Sequence, residues 1–231
     1  FHLFGHAVFK ALLFLSAGAV IHAVHTRDMR EMGGLGRQMP LVRTVMIIGA
    51  LALAGIPILN GFWSKELVLE AGLEGGPTWA WAGMIVGAGL TALYSLRFVT
   101  MVFFGQPRGH AHDAGPFMKV ALVPLALGTL TTWLIAGEFG HFLGRALPEG
   151  HEVESTSVLL GHVVSAPATY LALLVVAAGL AAWWQRRLLA GLARLLGGVG
   201  TAARHSFGFE AINRGIIRAT HEAGLKAWID P

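Results

Sequence analysis

The chain has 231 residues, of which 55% are hydrophobic and 13% are charged, with a formal net charge of +4 and no cysteine. Soluble domains carry about 25% charged residues, so this composition excludes an ordinary soluble domain and indicates a membrane protein. The sequence offers no disulfide and no thiolate metal ligand, and it predicts no nucleic-acid partner because no basic run is interleaved with aromatic residues.

Four segments are apolar over the roughly 20 residues that a membrane-spanning helix needs. They predict spans over residues 1–24, 79–104, 117–136 and 167–184. A fifth apolar region, residues 41–73, is irregular. The predicted fold class is therefore all-α, a polytopic transmembrane helix bundle over residues 1–184 that contains a discontinuous helix.

The first segment carries polar side chains where lipid is expected. His2, His6 and Lys10 recur every four residues, so on a helix they form one stripe,. A charge near the bilayer centre costs at least about 2.5 kcal/mol, and such residues usually face a bundle interior and mark an ion path. The stripe predicts a proton wire, because histidine and a buried lysine can exchange protons. The alternative is that Lys10 extends its ammonium to the interface while the histidines bond to other helices.

The irregular segment, LVRTVMIIGALALAGIPILNGFWSKELVLEAGL, is interrupted by Pro57, Asn60 and Gly61. Proline removes a helical donor, and broken helices with Pro and Gly mark transport sites in membrane proteins. The pattern predicts a discontinuous helix over residues 41–73. The alternative is one span over residues 41–58, joined by an ordinary turn to an interfacial helix.

Lys65 and Glu66 lie beside the predicted interruption. Adjacent residues do not share a helix face, so this acid and this base need not pair with each other. Lys65 is a candidate proton carrier and Glu66 a candidate acid of the same path. The alternative for both is an anchor at the membrane interface.

Loop charges indicate an orientation. Basic residues concentrate in three loops and acidic residues in two: residues 26–40, 105–115 and those after Trp184 are basic, whereas 74–78 and 137–166 lean acidic. If residues 41–73 cross the membrane once, all three basic loops lie on one side, as the positive-inside rule expects. Two crossings would place residues 26–40 on the other side.

Other polar residues carry weaker signals. Arg97 lies near the basic end of its span, where extension of its guanidinium to the interface explains it equally well. The loop RGHAHDAG holds His110, His112 and Asp113, but a short polar loop is more typical of solvated side chains than of a metal site,. Interfacial positions are expected for His22, His25, Glu138 and His141.

The tail, residues 185–231, predicts an amphipathic helix on the membrane interface. Glycines at 197, 198, 200 and 208 favour two or three shorter helices over one long helix. The sequence starts inside an apolar helix and ends without a cap, so we expect a piece of a longer polytopic protein. The pattern combines leucines 188, 189, 192, 195 and 196 with arginines 186, 187 and 194.

Three stretches carry a family resemblance: FHLFGHAVFKALLFLSAGAVIHAV, DMREMGGLGRQMP and GALALAGIPILNGFWSKELVL. They resemble the second half of the largest antiporter-like membrane subunit of respiratory complex I, the NuoL family, which is related to the large subunit of Mrp-type cation/proton antiporters. The resemblance is strong over residues 1–105, moderate to residue 184 and weak in the tail.

The resemblance implies roles for the polar residues. His2, His6 and Lys10 would lie on a helix of the second ion-translocating half, and Lys65 would be the key lysine of its discontinuous helix. Glu66 stands where relatives often carry aspartate. The tail would begin the lateral helix along the membrane arm, although its glycines weaken a continuous helix. The first ion-translocating half and the final anchoring span are absent, so this segment alone is not expected to pump.

The function implied by the resemblance is proton translocation by a membrane-arm subunit of an NADH:quinone oxidoreductase, in a bacterial plasma (inner) membrane. NADH, FMN, iron–sulfur clusters and quinone are expected in partner subunits, and no cofactor or metal in this chain. Expected partners are other membrane-arm subunits, the lipid bilayer and protons. The alternatives are the large subunit of an Mrp-type Na+/H+ antiporter and a related membrane subunit of a hydrogenase or an inorganic-carbon uptake complex.

Overall fold

The computed structural model describes residues 1–146, 155–185, 190–191, 197–204 and 208–229. Every regular element in these ranges is a helix, which confirms the predicted all-α class. The chain forms two compact units, residues 1–184 and 185–231. The functional candidates lie in the first unit.

The first unit contains eight α-helices in its described residues, and four helical runs are long and apolar enough to cross a membrane: His2–Val24, Thr78–Phe103, Pro116–Arg145 and Pro167–Trp184. They confirm the four predicted spans, and the third is longer than residues 117–136 because a 3-10 turn, Thr132–Ile135, joins two helices. The helices are α1 (His2–Val24), α2 (Pro40–Ala54), α3 (Asn60–Gly75), α4 (Thr78–Phe103), α5 (Pro116–Thr131), α6 (Ala136–Ala146), α7 (Thr156–Ser165) and α8 (Pro167–Trp184).

Residues 55–59 separate α2 from α3. Gly55 ends α2 in the left-handed conformation with φ +81°, and its N–H and that of Ile56 bond back to carbonyls of α2. Ile58 also has φ +81°, which is a strained conformation for a β-branched residue,. Asn60 belongs to the first turn of α3 rather than to the interruption, because its side chain is held by neighbouring helices.

The loops that precede α2 and follow α4 are joined to each other. Gly34 N–H donates to the carbonyl of Phe104, and Ala111 N–H donates to the side chain of Gln38. Asp113 accepts from the N–H groups of Leu41 and Val42 and so caps the first turn of α2 from another loop. The start of α2 and the end of α4 therefore lie at the same end of the bundle, as a single crossing by residues 41–73 requires. The single crossing itself stays a prediction.

Helices α4 and α8 pack closely and run parallel. A β-carbon at Gly179 would lie 2.2 Å from the carbonyl oxygen of Gly89, so these backbones touch. Trp184 at the end of α8 lines the same cavity as Phe104 beyond the end of α4. Trp184 therefore lies on the side of the two joined basic loops, where the positive-inside pattern places the start of the tail.

The second unit contains α9 (Gly197–Arg204) and α10 (Phe209–Ile229) in its described residues. Gly208 precedes α10 with φ +82°. The leucines and arginines on which the amphipathic pattern of residues 186–196 rests lie outside the described residues. The amphipathic character of the tail stays a prediction.

Gly61→Ala should destabilise the protein by about 1–3 kcal/mol, the usual cost of overpacking. A β-carbon at position 61 would lie 1.9 Å from the carbonyl oxygen of Ala52, so α3 would have to move away from α2. The measurement is the thermal unfolding midpoint of the purified full-length protein in detergent.

Gly83→Ala is the matched control, because a β-carbon there meets no atom outside its own helix within 4 Å. It should leave the midpoint unchanged or raise it slightly. Equal midpoints for the two variants would contradict the close α2–α3 approach.

Candidate functional site

A cavity of about 300 Å³ lies between α1, α2, α3 and α4. His2, His6 and Lys65 line it, so the structure brings together three of the five predicted site residues. The fourth polar side chain on its wall is Thr91, and the remaining lining is apolar. The cavity has room for several water molecules beside titratable groups.

The two histidines lie one helical turn apart on α1. The Nδ1 atom of His2 lies 3.0 Å from the hydroxyl oxygen of Ser64 on α3. The ring centroids of His2 and His6 are 5.7 Å apart, and the His6 ring stacks on Phe9 at 5.1 Å. The first imidazole is thus oriented by α3 and the second by its own helix.

Lys65 points back toward the end of α2. A β-carbon at Gly55 would lie 3.2 Å from the Lys65 ammonium nitrogen, so this nitrogen rests against the glycine that ends α2. It is buried and has no hydrogen-bond partner in the described part of the chain. The carboxyl end of a helix carries a partial negative charge, which favours an ammonium there.

Lys10 does not share this cavity. It lines a second cavity of about 290 Å³, which runs beside α1 toward Arg27 and is otherwise apolar. Lys10 follows His6 by one helical turn on α1, and His2 and Lys65 line the same cavity. The order Lys65, His2, His6, Lys10 therefore starts at that cavity and continues along α1 to Lys10.

Glu66 faces the other side of α3. Its side chain is 3% exposed and lies beside Thr169 on α8, and one carboxylate oxygen of Glu66 has no hydrogen-bond partner among the described residues. No ion pair joins Lys65 and Glu66 in the described residues. The structure therefore separates this acid from the lysine cavity.

Asn60 and Ser64 are site residues to which the sequence assigned no role. The Asn60 amide nitrogen donates to the carbonyl of Gly5 on α1 at 3.2 Å and to the hydroxyl of Thr132 at 3.0 Å. Ser64 donates to the carbonyl of Asn60 and contacts His2. Both are fully buried polar residues in a membrane segment, a signal that sequence reasoning can use,.

The weaker candidates lie elsewhere. Arg97 is exposed on α4, and the side chains of His110 and His112 are exposed in the loop after it. Asp113 of that loop caps α2. Within the described ranges, no three His, Asp or Glu side chains are grouped as a metal site. His22, His25, Glu138 and His141 are exposed.

Comparison with known proteins finds similarity in the first part of the chain. Residues 1–91 match the transmembrane family described as NADH:quinone oxidoreductase/Mrp antiporter. NADH-quinone oxidoreductase subunit L of Rickettsia felis is 40% identical over 191 residues, which are 78% of this chain and 28% of that protein. F(420)H(2) dehydrogenase subunit L of Methanosarcina mazei is 45% identical over 148 residues, 57% of this chain and 22% of that protein.

A solved structure has the same fold. The Mrp complex of Dietzia sp. DQ12-45-1b contains a chain that superposes with a TM-score of 0.62 at 25% identity, over 98% of this chain and 25% of that one. This chain therefore spans about a quarter of the length of the relatives it matches. Together with the four apolar spans, these similarities identify a multi-pass membrane protein.

Asn60→Ala should destabilise the protein by about 1–3 kcal/mol, because it removes the hydrogen bonds that the amide donates to Gly5 and Thr132,. The loss should appear as a lower thermal unfolding midpoint of the full-length protein in detergent.

Thr131→Ala is the control, since that exposed hydroxyl bonds only to the carbonyl of Leu127 in its own helix. It should leave the midpoint within error of the wild type. A small effect of Asn60→Ala would contradict a structural role of this amide between α1, α3 and the 3-10 turn.

Proposed function

The chain is related to the antiporter-like membrane subunits of NADH:quinone oxidoreductases and Mrp antiporters, and we propose that it belongs to the proton-translocating machinery of an NADH:quinone oxidoreductase. The observation that carries this proposal is the placement of Lys65, His2 and His6 on the wall of one cavity, with Lys10 one turn further along α1 on the wall of a second cavity. Four titratable side chains in this order suit a path for protons rather than a structural core.

Protons would cross this row by way of intervening water. The ring centroids of His2 and His6 are 5.7 Å apart, so a water molecule between the rings would complete the hydrogen-bonded path,. Lys65 would hold an exchangeable proton near the negative end of α2. Passage of that proton to His2 and His6, and then to Lys10, would move it from one cavity to the other.

The driving force would come from outside this chain. Quinone reduction in other subunits would change the electrostatics along the membrane arm, and this change would alter the proton occupancy of Lys65. Glu66, beside Thr169 on α8, would act as the acid through which neighbouring charges influence that lysine. The lysines would be proton carriers and not redox groups.

The proposal extends to partners and location. NADH, FMN, iron–sulfur clusters and quinone would be held by partner subunits, and this chain would pack against other membrane-arm subunits in a bacterial plasma (inner) membrane. The relative from Rickettsia felis is named as a subunit of an NADH-quinone oxidoreductase, and this supports a role in such a complex.

A second candidate function is that of an Mrp-type Na+/H+ antiporter subunit. The structural similarity to a chain of the Dietzia Mrp complex favours it, because it extends over 98% of this chain. The same row of lysines and histidines would then serve sodium/proton exchange without an electron-transfer partner. The two functions differ in the source of energy for proton movement, which is electron transfer in the first and the sodium gradient in the second.

Lys65→Ala and Lys10→Ala should each reduce NADH-driven proton uptake into vesicles by about a hundredfold, the lower end of what a positioned proton-transfer group contributes. Lys65→Arg should reduce it as well, because arginine keeps the charge but does not release its proton. The measurement uses native membrane vesicles containing the assembled full-length protein, with quinone reduction recorded in parallel.

Lys119→Ala is the control, since this lysine is exposed at the start of α5 and lines neither lysine cavity. Full proton uptake with Lys65→Arg would contradict a proton-carrying role and leave only an electrostatic one. If NADH drives no uptake and the same variants abolish Na+/H+ exchange, the antiporter function replaces the proposal.

A further inference from the structure

A cationic cavity of about 530 Å³ lies where the loop before α2 meets the end of α4. Arg37 and Arg43 are its charged residues, and no acidic residue lines it. Neither arginine has an acidic partner within ion-pair distance among the described residues. The cavity therefore carries two positive charges that the described protein does not neutralise.

The position of Arg43 is built into the fold. A β-carbon at Gly36 would lie 2.9 Å from the side chain of Arg43, so glycine makes room for the arginine stem. Asp113, the acid that caps α2, accepts from the N–H groups of Leu41, Val42 and Ala114 and does not line the cavity. Its carboxylate is therefore committed to the backbone rather than to Arg43.

An apolar cavity of about 470 Å³ adjoins the cationic one, and Phe104 lines both. It follows α2 and α4 away from the joined loops. Arg43, Ile47 and Leu51 are spaced by four residues and lie on one face of α2, so the arginine continues directly into the apolar wall. The other lining residues are Ala50, Ala54, Ser95, Leu96, Val99, Thr100, Leu180 and Trp184.

The paired cavities lie at a suitable depth for a lipid. Trp184 is 79% exposed at the end of α8, and tryptophan in membrane proteins concentrates at the headgroup level,. From Arg43 to Ala54 the helix rises about 16 Å, roughly half of the hydrocarbon thickness of a bilayer. A headgroup at the arginines and a chain along α2 would thus each lie in their ordinary environment.

We propose that Arg37 and Arg43 bind the phosphate of one anionic phospholipid, whose acyl chain occupies the apolar cavity between α2 and α4. Basic pockets between membrane helices recognise anionic headgroups through this combination of charge and depth. The site is separate from both lysine cavities and goes beyond the proposed function. A zwitterionic lipid of equal chain length would bind less well, because its headgroup has no net charge to match the two arginines.

The test titrates phosphatidylglycerol against phosphatidylcholine in vesicles containing the full-length protein, followed by mild extraction and native mass spectrometry of the retained lipid. We expect one phosphatidylglycerol to be retained by the wild type. Arg37→Gln with Arg43→Gln should raise the phosphatidylglycerol fraction needed for half occupancy by roughly 30-fold, from the contribution of two basic residues near the membrane surface.

The control pair is Arg97→Gln with Lys119→Gln, which removes the same charge from exposed positions outside both cavities. It should leave retention unchanged. If this pair raises the phosphatidylglycerol fraction at half occupancy as much as the double arginine variant does, the proposal is overturned, because lipid retention would then depend only on the general surface charge.

Leu51→Trp distinguishes a phospholipid from a free phosphate. It fills the apolar cavity and keeps both arginines, so lipid retention should fall. Unchanged retention in Leu51→Trp, or displacement of the lipid by excess inorganic phosphate alone, would overturn the acyl-chain site. These two measurements test the acyl-chain site even if the double arginine variant fails to fold.

Discussion

The rest of the site depends on the interruption between α2 and α3. A bilayer offers no water to the backbone groups that a broken helix exposes, so the surrounding protein must satisfy them. Here the N–H groups of Gly55 and Ile56 bond back to α2, and the Asn60 amide bonds to α1 and to Thr132. Helices α1, α2 and α3, which pack around the break, also form walls of the cavity that holds Lys65.

The interruption gives Lys65 an unusual partner. In a continuous helix the ammonium would face side chains only, whereas here it rests against the carboxyl end of α2. A carboxylate in the same place would hold the proton firmly through a full opposite charge, while the end of a helix offers about half a charge. Glu66 lies beside Thr169, so its charge acts on the lysine without forming an ion pair with it in the described residues. This arrangement favours an exchangeable proton.

Patterns within short stretches of the sequence predicted the structural features that depend only on neighbouring residues. The four spans follow from apolar length, and the stripe of His2, His6 and Lys10 follows from helical spacing. Loop charge indicated a single crossing by residues 41–73 only as a condition. The contact between the two loops places the start of α2 and the end of α4 at the same end of the bundle, and the single crossing stays a prediction. The separation of Lys10 from the Lys65 cavity depends on how α2, α3 and α4 pack around α1, which spacing along one helix does not contain. The start of α3 at Asn60 likewise depends on contacts with residues 5 and 132.

Helix α2 connects the loop that contains Asp113 to the cavity that contains Lys65. Its first turn is capped by Asp113 from the loop after α4, a contact over 72 residues of chain, and carries Arg43 at the membrane surface. Its last turn meets Gly61 of α3 and the ammonium of Lys65. With 15 residues, α2 is about 22 Å long,. Because the helix is unbroken between these points, tilting its first turn would move the end of α2 against which Lys65 rests. The cap and the loop contact hold that first turn in place, and so they also hold the electrostatic environment of the lysine.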